Sequence, residues 1–190
     1  VELSLERLSK WLRVTIWLGA TALLLLPLIA MRFSDEVKWG PLDFAFAYVL
    51  LFSVAFPLDL LLRKRRPIAY QLGACLALVS AFLLIWINAA VGIIGSEKNP
   101  ANLMYFGVIG AGILGVVFAR FKSKGMMRSL ITVASLFVLI AVSVLAFDLG
   151  TKEFSDKIKA LVLNGFFATS FATSALLFWM VSRKEVASYH

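Results

Sequence analysis

Leu84–Gly107, LIWINAAVGIIGSEKNPANLMYFG, is the stretch that decides how this chain is threaded. It begins as an apolar helix, turns through Ser96, Glu97, Lys98 and Asn99, and starts a second apolar run at Pro100. Proline suits a first helical position, where its missing N–H is not needed. Asn88, Glu97, Asn99 and Asn102 fall within 15 positions of a chain that otherwise reads as hydrocarbon. A hairpin of two membrane helices with its polar residues gathered at the turn is therefore predicted here.

The same character extends outward. Of 190 residues, 61% are hydrophobic and 16% charged, and several apolar runs reach the roughly 20 residues needed to cross a bilayer. The formal charge of +8 does not indicate nucleic acid, because the basic residues sit in short clusters between apolar runs, as topology signals do. Cys75 is the only cysteine, and His190, the only histidine, is the last residue. Disulfide frameworks and the multi-ligand sites of zinc or haem need more of these residues than the chain offers. No cofactor is legible. A Ser-His pair, paired intramembrane carboxylates and a phosphate-cradling glycine loop are likewise missing from the sequence, so no enzyme activity is expected.

In chain order, residues 1–13 read as an interfacial amphipathic segment with Leu5, Leu8 and Leu12 on one face. The predicted spans are 14–31, 41–62, 67–96, 99–119, 129–147 and 160–182. The first lacks a small-residue cleavage pattern and is read as a helix, not as a signal peptide. The third has 30 residues without a charge, which requires tilt, outward projection or unwinding around Gly92 and Gly95. The expected fold is thus an all-α membrane protein, a single domain forming a six-transmembrane-helix bundle.

Sidedness follows from lysine and arginine. Arg7, Lys10 and Arg13, then Arg63 to Arg66, then Arg120, Lys122, Lys124 and Arg128, and finally Arg183 and Lys184 make 13 on one side. The other side has six: Arg32, Lys38, Lys98, Lys152, Lys157 and Lys159. The positive-inside rule puts both termini in the cytoplasm. Trp39, Trp86 and Tyr105 would then form the outer aromatic belt, and Trp11, Trp17, Tyr70 and Trp179 the inner one.

Small residues permit close packing of membrane helices. Gly73, Ala77 and Ala81 in the third span, Gly107, Ala111 and Gly115 in the fourth, and Gly165, Ala168, Thr169, Ala172 and Thr173 in the sixth form such stripes. They predict spans three, four and six at the centre. Asn88 shares the third stripe, so it should point inward.

Two readings compete for the polar residues. Asp43 and Asn102 each lie two residues after a proline, which suits helix capping. Alternatively Asn88, Glu97, Asn102, Asp43 and Asn164 line an outward-facing vestibule for a ligand or ion. Asn88 must find a partner in either case, and an interhelical hydrogen bond is the simpler one. Asp59 and Arg63 have the i,i+4 spacing of a structural ion pair. The Arg63–Arg66 cluster could hold lipid headgroups, although topology alone explains it. No metal site is expected.

The blocks RFSDEVKWGPLDF (Arg32 to Phe44), AVGIIGSEKNPANLMYFGV (Ala90 to Val108) and LVLNGFFA (Leu161 to Ala168) resemble those of a family of small, uncharacterised bacterial six-helix integral membrane proteins. The resemblance covers essentially the whole chain and implies a bacterial inner-membrane location. Lys38 and Lys98 depart from the more polar or acidic residues of that pattern, which weakens any metal site on those loops. The Asn99-Pro100-Ala101 triplet is shared with aquaporins, but a single copy without a re-entrant half-helix does not make one.

The leading functional expectation is a non-enzymatic membrane protein acting through helix–helix interaction, as an accessory subunit or self-associating scaffold. Its partners would be the bilayer and a second copy or a membrane-complex subunit. A small transporter or channel using the vestibule is the alternative.

Overall fold

A computed structural model describes residues 2–34, 36–64, 66–149 and 153–187, with side chains from residue 9 onward. Leu5 and Leu8 of the amphipathic face, together with Arg7, Arg65, Lys152 and His190, lie outside the described side chains. The described residues form six helices long and apolar enough to cross a membrane, with no strand among them. They are α1 (Glu2–Phe33), α2 (Pro41–Arg63), α3 (Ile68–Ala90), α4 (Met104–Ala119), α5 (Ser123–Phe147) and α6 (Phe154–Ala187), the fourth reaching spanning length as Pro100–Ala119 together with the 3-10 turn at Pro100–Leu103 that leads into it. The chain divides into two compact units, residues 1–66 and 67–190.

The first unit is a hairpin of α1 and α2. Residues 2–13 continue as helix directly into the first span, and Pro27 lies inside α1. Trp17 on α1 meets Phe52 on α2, with ring centroids 5.8 Å apart. Phe52 also stacks on Tyr48 and Phe56 of its own helix.

In the second unit α5 packs along α6, α3 flanks α6 and α4 flanks α5. The reason is in the spacing. Ser123, Met126, Leu130, Val133, Phe137, Ile140 and Val144 are buried on α5, and Ala160, Asn164, Phe167, Phe171, Ser174, Phe178 and Val181 on α6. Both sets alternate steps of three and four, the period of about 3.5 residues that keeps two supercoiled helices in register. Phe137 stacks on both Phe167 and Phe171, and Tyr70 meets Phe178 edge-on. The centre is an aromatic seam.

This corrects the packing expected from small residues. Gly73 does pack closely: a methyl built on it would lie 3.2 Å from the Phe178 ring, and Ser174 donates to its carbonyl at 2.6 Å. On α4 the contact face runs through Gly112 and Gly115 against Val133 and Ser129, whereas Gly107 is exposed with nothing near it. On α6 the predicted stripe faces outward. Gly165, Thr169, Ala172 and Thr173 are all exposed, so α5, not α4, shares the centre of this unit with α6.

Helix ends also differ from the sequence boundaries. α3 stops at Ala90, and the chain unwinds through Gly92 (φ 68°) and Gly95 (φ 66°). Unwinding is thus the solution adopted for the 30 uncharged residues. α5 starts at Ser123, six residues ahead of the predicted span at 129. Arg120 and Phe121 make that possible by taking left-handed φ values of 47° and 58°, a costly conformation for residues with a Cβ. Tyr70 Oη donates to the Phe121 carbonyl at 2.9 Å and holds the turn.

Candidate functional site

The loop between α3 and α4 is built around one side chain. Asn102 Oδ1 accepts from the amides of Ile93 (3.1 Å) and Ile94 (2.9 Å). Its Nδ2 donates to the carbonyls of Ile94 (3.3 Å) and Ser96 (2.7 Å). A carboxamide has two donor hydrogens and two acceptor lone pairs, so Asn102 is fully used. It clamps the loop rather than capping a helix, which corrects the expected role. Asn99 takes the cap instead: its Oδ1 accepts from Ala101 N at 3.0 Å. Asn99 Nδ2 reaches the Leu149 carbonyl at 2.9 Å and ties this loop to the one between α5 and α6.

Local chemistry explains the loop's path. Gly92 has positive φ, and a Cβ there would lie 2.6 Å from the Ser96 carbonyl and 2.7 Å from Asn102 Nδ2. Only glycine allows the strand of loop to pass that close. Ile93 and Ile94 are fully buried, so their amides are cut off from water, and Asn102 supplies the acceptor they require. Glu97 is exposed at the turn and takes no part in the clamp.

Two further amides are buried. Asn88 on α3 is buried and donates through Nδ2 to the Asn102 carbonyl at 3.3 Å. Asn164 on α6, fully buried, donates to Tyr105 Oη and to the Ala160 carbonyl, both at 2.8 Å. Tyr105 is itself fully buried, so it is an interior residue and not part of the outer aromatic belt. Hydrogen bonds and one helical turn link Asn88, Asn102, Tyr105 and Asn164. The Oδ1 atoms of Asn88 and Asn164 have no hydrogen-bond partner among the described residues, which leaves two buried acceptors open to a donor.

The remaining predicted site residues, Asp43, Asp59 and Arg63, belong to the first unit. Asp43 Oδ2 accepts from Gly40 N at 2.7 Å at the start of α2, the geometry of a cap. Asp59 and Arg63 form the ion pair, with Nη2 to Oδ2 at 2.7 Å and Nε to Oδ2 at 2.9 Å. Arg13 on α1 adds a third member by bonding Asp59 Oδ1 through Nε. Asp59 is 3% exposed, and a carboxylate so buried requires compensating charge. Sequence reading missed Arg13 and Tyr105 as partners. The signal for Arg13 was its level, since in a hairpin it falls opposite Asp59.

Among the described residues no three His, Cys, Asp or Glu side chains converge as a metal site would require. Searches against protein-family models, characterised proteins and solved structures find no match to this chain.

Proposed function

We propose that this multi-pass membrane protein is non-enzymatic and works through helix–helix association, as an accessory subunit or self-associating scaffold. In this reading it belongs to the bacterial inner membrane, with both termini cytoplasmic, and to the six-helix family its sequence resembles. The observation that carries the proposal is the outward small-residue face of α6. Gly165, Thr169, Ala172 and Thr173 are exposed there, and Ala168, Thr169, Ala172 and Leu176 border an apolar groove shared with Ile131, Ala134 and Val138 of α5. The Thr169 and Thr173 hydroxyls are occupied by carbonyls of their own helix. The face therefore offers close packing without demanding polar partners, which is how membrane helices associate.

Replacing Gly165 and Ala172 by leucine tests this. Gly165 has nothing within 4 Å of a built Cβ, so the fold accommodates the change. The native-membrane assembly should fall apart in mild detergent while helicity by circular dichroism stays unchanged. A wild-type protein found only as an isolated monomer, or a variant of unaltered assembly size, would contradict the proposal.

A second reading, the small transporter or channel, is favoured by the unpartnered oxygens of Asn88 and Asn164. Asn102 and Asp43 are already engaged with the backbone, which narrows such a site to the two buried amides Asn88 and Asn164 and the exposed Glu97. Asn88→Leu and Asn164→Leu should then abolish flux in reconstituted vesicles. Unchanged flux dismisses that reading.

A further inference from the structure

We propose that the groove between α1 and α2 seats one anionic phospholipid, its headgroup on Lys10 and Arg13 and an acyl chain along Val14, Trp17, Leu18 and Thr21. These residues, with Asp59, line a groove of about 500 Å³. Their spacing places them on one side of α1 (i, i+3, i+4, i+7, i+8, i+11), with the charges at one end and the apolar wall beyond. That is the polarity of an amphiphile. The wall from Val14 to Thr21 runs about 10 Å along the helix, far more than a free phosphate would use.

Charge at the mouth favours an anion. Lys10, Arg13 and Arg63 oppose the single carboxylate of Asp59, and Asp59 is already held on both oxygens by the two arginines. Lys10 is exposed and forms no ion pair among the described residues. Arg13 spends its Nε on Asp59. The carboxylate therefore fixes the guanidinium plane, while the two terminal nitrogens keep donors for phosphate oxygens, an arrangement lysine cannot reproduce. Deeper in the groove the Thr21 hydroxyl is bonded to the Trp17 carbonyl at 2.9 Å, so the wall asks for hydrocarbon.

Native mass spectrometry of the full chain, released from nanodiscs with equal phosphatidylglycerol and phosphatidylcholine, reads this directly. One phosphatidylglycerol should be retained in preference. Lys10→Gln should weaken that retention about five-fold, and Thr21→Phe, which plugs the apolar wall, should remove it. Lys10→Gln breaks no internal bond, so its effect at an unchanged melting temperature reports binding, not folding. Equal retention of phosphatidylcholine, or no response to Lys10→Gln, overturns the proposal. So does displacement of the lipid by millimolar inorganic phosphate or glycerol phosphate, which would mark a site for the headgroup alone.

Discussion

Asn102 combines four hydrogen bonds to one short loop, and that concentration gives it an outsized structural role. Asn102→Ala strands the amides of Ile93 and Ile94 in an apolar interior, and each buried orphan costs about 1–3 kcal/mol. We expect a loss of roughly 3 kcal/mol or more in thermal or denaturant unfolding, with protease sensitivity appearing first between Gly92 and Asn99. Asn102→Asp would set a carboxylate oxygen against the Ile94 and Ser96 carbonyls in a buried site, a charge without compensation, so its loss should be at least as large as that of alanine. A clearly smaller loss for aspartate would contradict the two-sided clamp. Gly92→Ala should damage the same loop through its positive φ and the close Ser96 carbonyl. Asn102 was legible in the sequence as a candidate, because it lies two residues after Pro100 at a helix start. Its partners were not: proximity to Pro100 suggested a cap, and nothing local revealed that Ile93 and Ile94 would turn inward.

The helices show a second limit of reading a membrane sequence. In water, apolar periodicity separates core from surface, but in lipid both faces are apolar. Six spans could therefore be recognised by length alone, while the inward face had to be inferred from small residues. That inference succeeded at Gly73 and Gly115 and failed on α6, whose seam is aromatic. The three-and-four spacing of Asn164, Phe167, Phe171, Ser174 and Phe178 was the available signal. Two substitutions separate the faces. Gly115→Leu should disrupt α4–α5 packing, because a Cβ there already lies 2.7 Å from Ser129 Cβ. Gly107→Leu, on the open side of α4, should leave the melting temperature in detergent nearly unchanged. Equal effects would show that the contact face has been misassigned. Phe137→Ala, at the junction of two ring stacks, should cost about 3–5 kcal/mol in the same assay.

Taken together, the chain is an α1–α2 hairpin carrying a three-membered ion pair and a four-helix unit in which Asn102 clamps the α3–α4 loop and Asn99 ties that loop to the one between α5 and α6. Fold class was legible throughout, since six long apolar runs leave little alternative. Sidedness rests on the distribution of lysine and arginine, and single cysteines in a Cys75→Ser background test it. A cysteine at Glu97 should react with an impermeant maleimide on intact spheroplasts, and one at Lys124 only after lysis; the reverse order would invert the topology. Function was the least legible, because association depends on which face stays uncovered, and composition does not report that. The outward face of α6 is the basis of the functional proposal, and cysteine cross-linking through Ala172→Cys in native membranes probes it most directly. A discrete adduct to a second copy or to one partner subunit, lost when Gly165 is also leucine, is the predicted result. A cysteine at position 172 that captures no protein under the same conditions would contradict the account.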